Sequence, residues 1–427
     1  MRLPVVLWLI FVVLLHSCRK EDTVLPELEW IAPNGSLQLA VIDTIEVHVK
    51  LRDNEGLNRC RIQLLDENMI PAIPAQEQQL SGVEDEVRMD YVVGDIRLTS
   101  GLYYFMAEVR DEAGNTNRGY RSVQLTEFPK QLKGFFTAHY PQANTLTIYR
   151  VDSTAAPMLW KTENSDFGDM AVSAWWQQVY ACGDVYGKLN AFSIDGSAPE
   201  WSKSPTVSTS SFWSALFVKD RLLYTGWNGP EQFRSFDNAG TQQATYPMLN
   251  LHRGVVMCRT SGYVYTVQKE ISTGQSWMVV YAVSGGTVAQ CPLNMEVTEL
   301  FPRNDDEVYL VGNAAGQAEL KIYERISNGT WTPVSLANGS VNCAEQISSN
   351  TLLLGHSDGN VYRFEYNPLG VQLHLPGVTA QQIRYDVIGN SIYVASGASV
   401  LNYNGSSLIQ SWNYAAPVLD LELWYNR

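Results

Sequence analysis

The sequence predicts an all-β chain in two parts, and three observations predict it. From Leu28 onward no segment carries a sustained 3.6-residue apolar period, and Gly, Asn or Pro interrupts the chain about every ten residues. Short runs alternate instead: Ile45, Val47, Val49 and Leu51 are apolar while Glu46, His48 and Lys50 between them are polar, the pattern of a half-buried strand. Past residue 130 a strand-like element recurs with a nearly fixed period. The composition agrees, with 31 Gly, 22 Tyr and 12 Trp among 427 residues and only 17% charged side chains. A net charge of -14 argues against nucleic acid, whose phosphates require a basic face.

At the N-terminus, Arg2 is followed by an apolar run from Leu3 to Leu15. As a helix this run would rise only about 20 Å, too little for a hydrocarbon layer of about 30 Å, so it reads as an export signal and not a membrane span. Leu15-His16-Ser17-Cys18 resembles the lipobox of bacterial lipoproteins, which implies cleavage after residue 17 and acylation of Cys18. The following Lys20-Glu21-Asp22 is similar to the surface-export tag of Bacteroidetes lipoproteins, which implies an outer-membrane protein displayed outward. Residues 18–27 form a charged tether.

Residues 28–127 make the first folded part. Tyr103, Phe105, Ala107 and Val109 repeat the alternation, and Asp111-Glu112-Ala113-Gly114-Asn115 turns the chain into Arg121–Leu125. Strands at this spacing over about a hundred residues predict a β-sandwich. The hairpin around Asp111 resembles the closing hairpin of bacterial immunoglobulin-like modules. Phe128-Pro129-Lys130 reads as the linker.

Residues 128–427 repeat. Phe136, Tyr180, Tyr224, Tyr265, Tyr309, Leu353 and Tyr393 mark equivalent strands at intervals of 44, 44, 41, 44, 44 and 40 residues. Seven such units, each with room for four strands, predict a seven-bladed β-propeller. The first unit lacks a strand before Phe135, and residues 417–424 supply a spare one that would close the ring and cover an open edge. Gly187–Gly196 with Trp201, Ile148–Asp152 with Trp160, and Leu401–Gly405 with Trp412 resemble the repeat of quinoprotein-like propellers, and Gly355–Tyr362 resembles the Asp-Gly turn of WD-type blades. Turn geometry accounts for the Asp and Gly residues, and packing between blades for the tryptophans.

No catalytic, cofactor or metal constellation emerges. Cys60, Cys182, Cys258, Cys291 and Cys343 contain neither a CxxC pair nor the adjacent cysteines of quinone-dependent enzymes, and leave room for one disulfide of unassigned partners. His48, His139, His252, His356 and His374 are scattered. Ser235–Thr241 is similar to a sialidase-type Asp box but lacks the aromatic after Thr241. Asp166, Asp169, Asp184 and Glu231 are expected near one rim, the arrangement a glycan hydrolase or lyase would use.

Aromatic residues are the candidate ligand-binding group. Loop phasing puts Trp213 and Trp227 at one rim of the third unit, with Tyr186 in the adjoining loop. Exposed aromatics suit sugar rings and protein partners. Packing between blades is the alternative for Trp213. The expectation is a non-enzymatic, membrane-anchored protein- or glycan-binding module, with an envelope scaffold or a glycan-active enzyme as alternatives. The anchor is directly testable: Cys18→Ser should abolish metabolic labelling with a radioactive fatty acid, and labelling equal to wild type would remove the anchor.

Overall fold

The computed structural model of the chain describes residues 22–153, 155–196, 198–206 and 210–427, so Cys18, Lys20 and Glu21 lie outside the described residues. All regular structure in the described residues is strand. The chain divides into two compact units, residues 1–129 and 130–427.

In the first unit a three-stranded sheet (Glu27–Ala32, Thr44–Arg52, Glu84–Val92) faces a five-stranded one (Leu37–Ala40, Thr116–Thr126, Gly101–Asp111, Leu57–Leu65, Gln76–Gln79) across a single core. The alternation read from sequence decides which side chains enter that core. Val47, Val49 and Leu51 from one sheet meet Phe105, Ala107 and Val109 from the other, all solvent-excluded. Tyr91 packs edge-on against Phe105 at 5.1 Å.

The second unit contains seven four-stranded antiparallel sheets. Their innermost strands, in order from the first sheet, are Val418–Tyr425, Asp169–Ser173, Trp213–Lys219, His252–Arg259, Glu296–Pro302, Val341–Ser348 and Gln382–Asp386, and each neighbours the next around a ring. The first sheet joins both ends of the unit. Its C-terminal strand pairs with Leu132–Gln142, with Leu421 opposite Thr137 and Leu423 opposite Phe135, as the spare strand predicts.

A polar contact bridges each junction between neighbouring sheets. Asp420 Oδ2 accepts from Met170 N (3.0 Å), and Asp169 Oδ2 from Leu216 N (2.8 Å). Asn228 Oδ1 accepts from Gly254 N (2.7 Å), and Asn313 Oδ1 from Val341 N (2.8 Å). Lys269 Nζ donates to Glu296 Oε1 (2.7 Å), Tyr385 N to Glu345 Oε1 (3.1 Å), and Arg384 Nη2 to Glu422 Oε1 (2.6 Å). Further out, tryptophans do the same job. Trp160, Trp201 and Trp412 donate their indole N–H to the carbonyls of Ile194, Asn238 and Ala155 on the adjacent sheet, at 3.1, 2.8 and 3.0 Å. Packing between sheets is therefore what the repeated Trp provides.

The five cysteines of the described residues, Cys60, Cys182, Cys258, Cys291 and Cys343, are free, four of them buried. Burial pushes the Cys60 and Cys343 thiols up to about 12, so they behave as small apolar side chains.

The closing strand is testable by truncation. Leu421 is fully buried, and removing residues 417–427 would strip the first sheet of its inner strand and expose a paired edge. The shortened chain should lose the cooperative thermal transition of residues 130–427 in circular dichroism, and Leu421→Ala alone should cost about 2–5 kcal/mol. An unchanged melting curve for the truncation would refute the closure.

Candidate functional site

The innermost strands carry charged side chains where a fully packed strand would be apolar. Asp169, Glu299, Glu345, Arg384 and Glu422 line a cavity of about 620 Å³ enclosed by these strands. Asp420 lies beside them, 2% exposed. Arg384 is central to the group. It holds Glu422 through Nε and Nη2 at 3.0 and 2.6 Å, and its guanidinium lies 3.9 Å from Glu345 and 3.7 Å from Asp420.

Five carboxyls around one guanidinium cannot all ionise cheaply. Burial, followed by repulsion from neighbouring carboxylates, pushes Asp169, Glu299, Glu345, Asp420 and Glu422 up to about 7, against the pull of Arg384 and of the backbone N–H groups that several of them accept. Burial works against the charge on Arg384 too, but Glu422, Glu345 and Asp420 outweigh it and keep the guanidinium protonated. Near neutral pH the carboxyl cluster is thus a partly protonated acidic lining around the Arg384 cation, with Lys219 and Arg259 elsewhere on the cavity wall.

Where the inner strands begin, the channel opens into a second cavity of about 390 Å³, which shares Val255 and Thr298 with it. Asp184, Trp213, Asn228, Arg253, Lys269 and Glu296 line this mouth. A third cavity of about 240 Å³ adjoins it and shares Ser211, Asn228, Arg253 and Lys269. The mouth therefore offers hydroxyl, amide, cationic and carboxylate groups beside one aromatic wall.

The three aromatics expected to form a platform differ in burial, and Trp213 is the one that does not fit an exposed surface. Trp213 and Trp227 do pair across neighbouring strands at the same end of the third sheet, as loop phasing requires. However, Trp213 is only 2% exposed. It packs 5.0 Å from both Phe212 and Trp227 and donates its indole N–H to Gly187 O at 2.9 Å. Trp227 is half-buried, with the Arg234 guanidinium over its ring at 4.0 Å. Tyr186 is 48% exposed, and its hydroxyl bonds Asn144 of the first sheet. Trp213 alone of the three lines the mouth; its large ring also fills the gap to the second sheet, which explains its burial.

The carboxylates expected on one rim separate as well. Asp184 lines the mouth and Asp169 the channel, whereas Asp166 caps a turn by accepting from Val185, Tyr186 and Gly187 N–H. Asp237, in the Asp-box-like stretch, caps its own turn through Ala239 and Thr241 N–H. Sequence reading missed Glu299, Glu345, Arg384, Asp420 and Glu422. The signal was present in runs such as Cys343-Ala344-Glu345 and Gln382-Ile383-Arg384, a charge set in the inner strand of a unit, but only the ring brings such charges together.

The raised carboxyls set a pH dependence. Their folded values near 7 exceed the ordinary carboxylate values of 3.8 and 4.5, so the folded state holds these protons more tightly than the unfolded one. Their stabilising contribution is complete below the ordinary values and is lost as pH rises through about 7. His139 and His374, pushed below their ordinary 6.5 mainly by burial, act in the opposite sense at lower pH, so a variant must isolate the channel. Glu299→Gln should melt higher than wild type at pH 8, with the difference shrinking toward pH 5; parallel melting-temperature profiles would exclude the assignment.

No protein-family model matches the chain, and no curated protein does. Solved structures similar to it include the WD40 β-propeller domain of Doa1, at 13% identity and TM-score 0.48, over 64% of this chain and 88% of that one. The hydrazine synthase of Kuenenia stuttgartiensis is similar at 11% identity and TM-score 0.45, over 68% of this chain and 98% of that one. An extracellular domain of a one-component system from B. thetaiotaomicron is similar at 11% identity and TM-score 0.43, over 62% of this chain and 37% of that one.

Proposed function

We propose that the chain is a non-enzymatic binding protein, anchored by lipid on Cys18 and displayed at the bacterial outer-membrane surface. In this reading an immunoglobulin-like module carries a seven-bladed propeller, which takes a protein or glycan ligand at the mouth of its channel. The observation that carries the ligand site is the pair of adjoining concavities in which Ser211, Asn228, Arg253 and Lys269 converge beside Trp213. Concave sites with a few convergent polar groups are the usual form of small-ligand and sugar sites. Arg253 is exposed, and its guanidinium fork suits carboxylate-bearing sugars or acidic side chains.

A glycan hydrolase is the second reading, favoured by channel carboxyls raised to about 7, the state a general acid needs. Against it, Asp169, Asp420 and Glu345 already accept backbone N–H groups of neighbouring strands, and Glu422 is held by Arg384.

A glycan array and a pull-down with the soluble chain would identify the ligand. Arg253→Ala should then weaken binding about thirtyfold, the loss of about 2 kcal/mol typical of an interface hot spot, with no change in melting temperature. Full binding by Arg253→Ala would move the site away from this mouth, and turnover of a bound glycan that Glu299→Gln abolishes would favour the hydrolase.

A further inference from the structure

The sequence reading expects no metal, yet in the first unit three aspartates converge. One carboxylate oxygen each from Asp22, Asp53 and Asp111 lies within 4.8 Å of those from the other two. Two oxygens that each sit about 2.4 Å from a shared calcium ion can be at most about 4.8 Å apart, so the three carboxylates are close enough together to share one.

Local structure holds the three carboxylates in place. Asp53 follows the strand Thr44–Arg52, and its Oδ2 accepts from Glu55 N (2.9 Å) and Gly56 N (2.8 Å). Asp111 ends the strand Gly101–Asp111 in the opposite sheet, and its Oδ1 accepts from Gly114 N and Asn115 N at 2.6 and 2.7 Å. Asp22 belongs to the tether, and its Oδ1 accepts from Val24 N (3.0 Å) and Asn54 Nδ2 (3.2 Å). These contacts explain turns and caps. They do not account for the oxygens left over.

Asp53 is only 7% exposed, its carboxylate is turned into the cluster, and its Oδ1 is shut off from solvent with no hydrogen-bond partner. Asp22 Oδ2 is in the same condition. Asp111 is 1% exposed. The ion pairs of this unit among the described residues all involve other carboxylates. Buried carboxylate oxygens without a donor or a counter-charge are costly, and nothing among the described residues offsets these. Asn115 Nδ2 adds to the case, because its two protons face three oxygens: Asp22 O, Val24 O and Asp111 Oδ2.

We infer that Asp22, Asp53 and Asp111 bind a divalent cation, with calcium as the species that a set of three carboxylates favours. A ligand set of only oxygens disfavours zinc and copper, and three protein carboxylates at one point suit calcium better than magnesium, which keeps several of its waters and is usually held by one or two carboxylates. Asp22 lies four positions after Cys18. Under the anchor reading above, the ion would fasten the end of the tether to this unit, at extracellular calcium levels.

Isothermal titration of the full chain with calcium chloride and with magnesium chloride tests the site and does not depend on the lipid. Wild type should bind one calcium with a Kd on the order of 10⁻⁴–10⁻³ M, the range of extracellular modules, and should melt higher with calcium than with chelator. Asp53→Asn keeps a turn-capping oxygen, and Asp22→Ala lies outside every strand, so both should fold and bind at least tenfold more weakly. A silent titration overturns the inference. So does binding of equal strength in wild type and both variants, or binding lost instead in Glu299→Gln, which would assign the ion to the channel.

Discussion

In a ring of sheets each innermost strand turns one edge away from its own sheet, and backbone N–H groups on that edge need partners. The seven junction contacts supply them or lock the strands beside them: Asp420, Asp169, Asn228 and Asn313 each accept from a backbone N–H of the next sheet's innermost strand, and so does Glu345. Lys269–Glu296 and Arg384–Glu422 join the remaining neighbours by charge. Unmet backbone groups in such an interior would cost as much as lost hydrogen bonds. The rest of the unit depends on these contacts, because they decide how closely the sheets can approach and hence where the channel and its mouth lie.

That solution has an electrostatic consequence. Two of the acceptors, Asp169 and Glu345, are carboxylates lining one cavity with Glu299 and Glu422, and a third, Asp420, lies buried beside them. Burial and mutual repulsion raise all five to about 7, and a single arginine at the centre offsets only part of the charge. The same groups that fasten the sheets therefore make the channel acidic and proton-responsive. The mouth differs, since Arg253 and Lys269 bring positive charge and Asn228 and Ser211 bring neutral donors and acceptors. A ligand at the mouth meets mixed polarity, whereas a group entering the channel meets acid.

The two units use aspartate in contrasting ways. In the second, Asp166 and Asp237 spend their oxygens on the N–H groups of a single turn and need nothing further. In the first, Asp53 and Asp111 also cap turns, but they converge with Asp22, and one buried oxygen each of Asp53 and Asp22 is left without a partner. A capping aspartate looks the same in either sequence. Its surroundings decide whether it is a turn residue or a ligand.

What the sequence by itself determined is whatever has a local or periodic cause. Alternation at Ile45–Leu51 and Tyr103–Val109 put the right side chains in the first core, because a strand's side-chain period is two. The 40–44-residue period marked the repeated sheets, and residues 417–424 the strand that completes the first one. The repeated Trp160, Trp201 and Trp412 were legible as packing residues. Tertiary structure decided the rest. Trp213 and Tyr186 are both aromatics of loop-proximal segments, yet one is buried and the other exposed, because only the first packs its ring into the apolar cluster shared by the second and third sheets. Asp169, Glu345, Arg384 and Glu422 are far apart along the chain, and Asp22, Asp53 and Asp111 equally so. Each group meets only where distant parts of the chain converge, and a carboxylate's role depends on the charges and donors within a few ångströms of it, which no spacing in the sequence encodes.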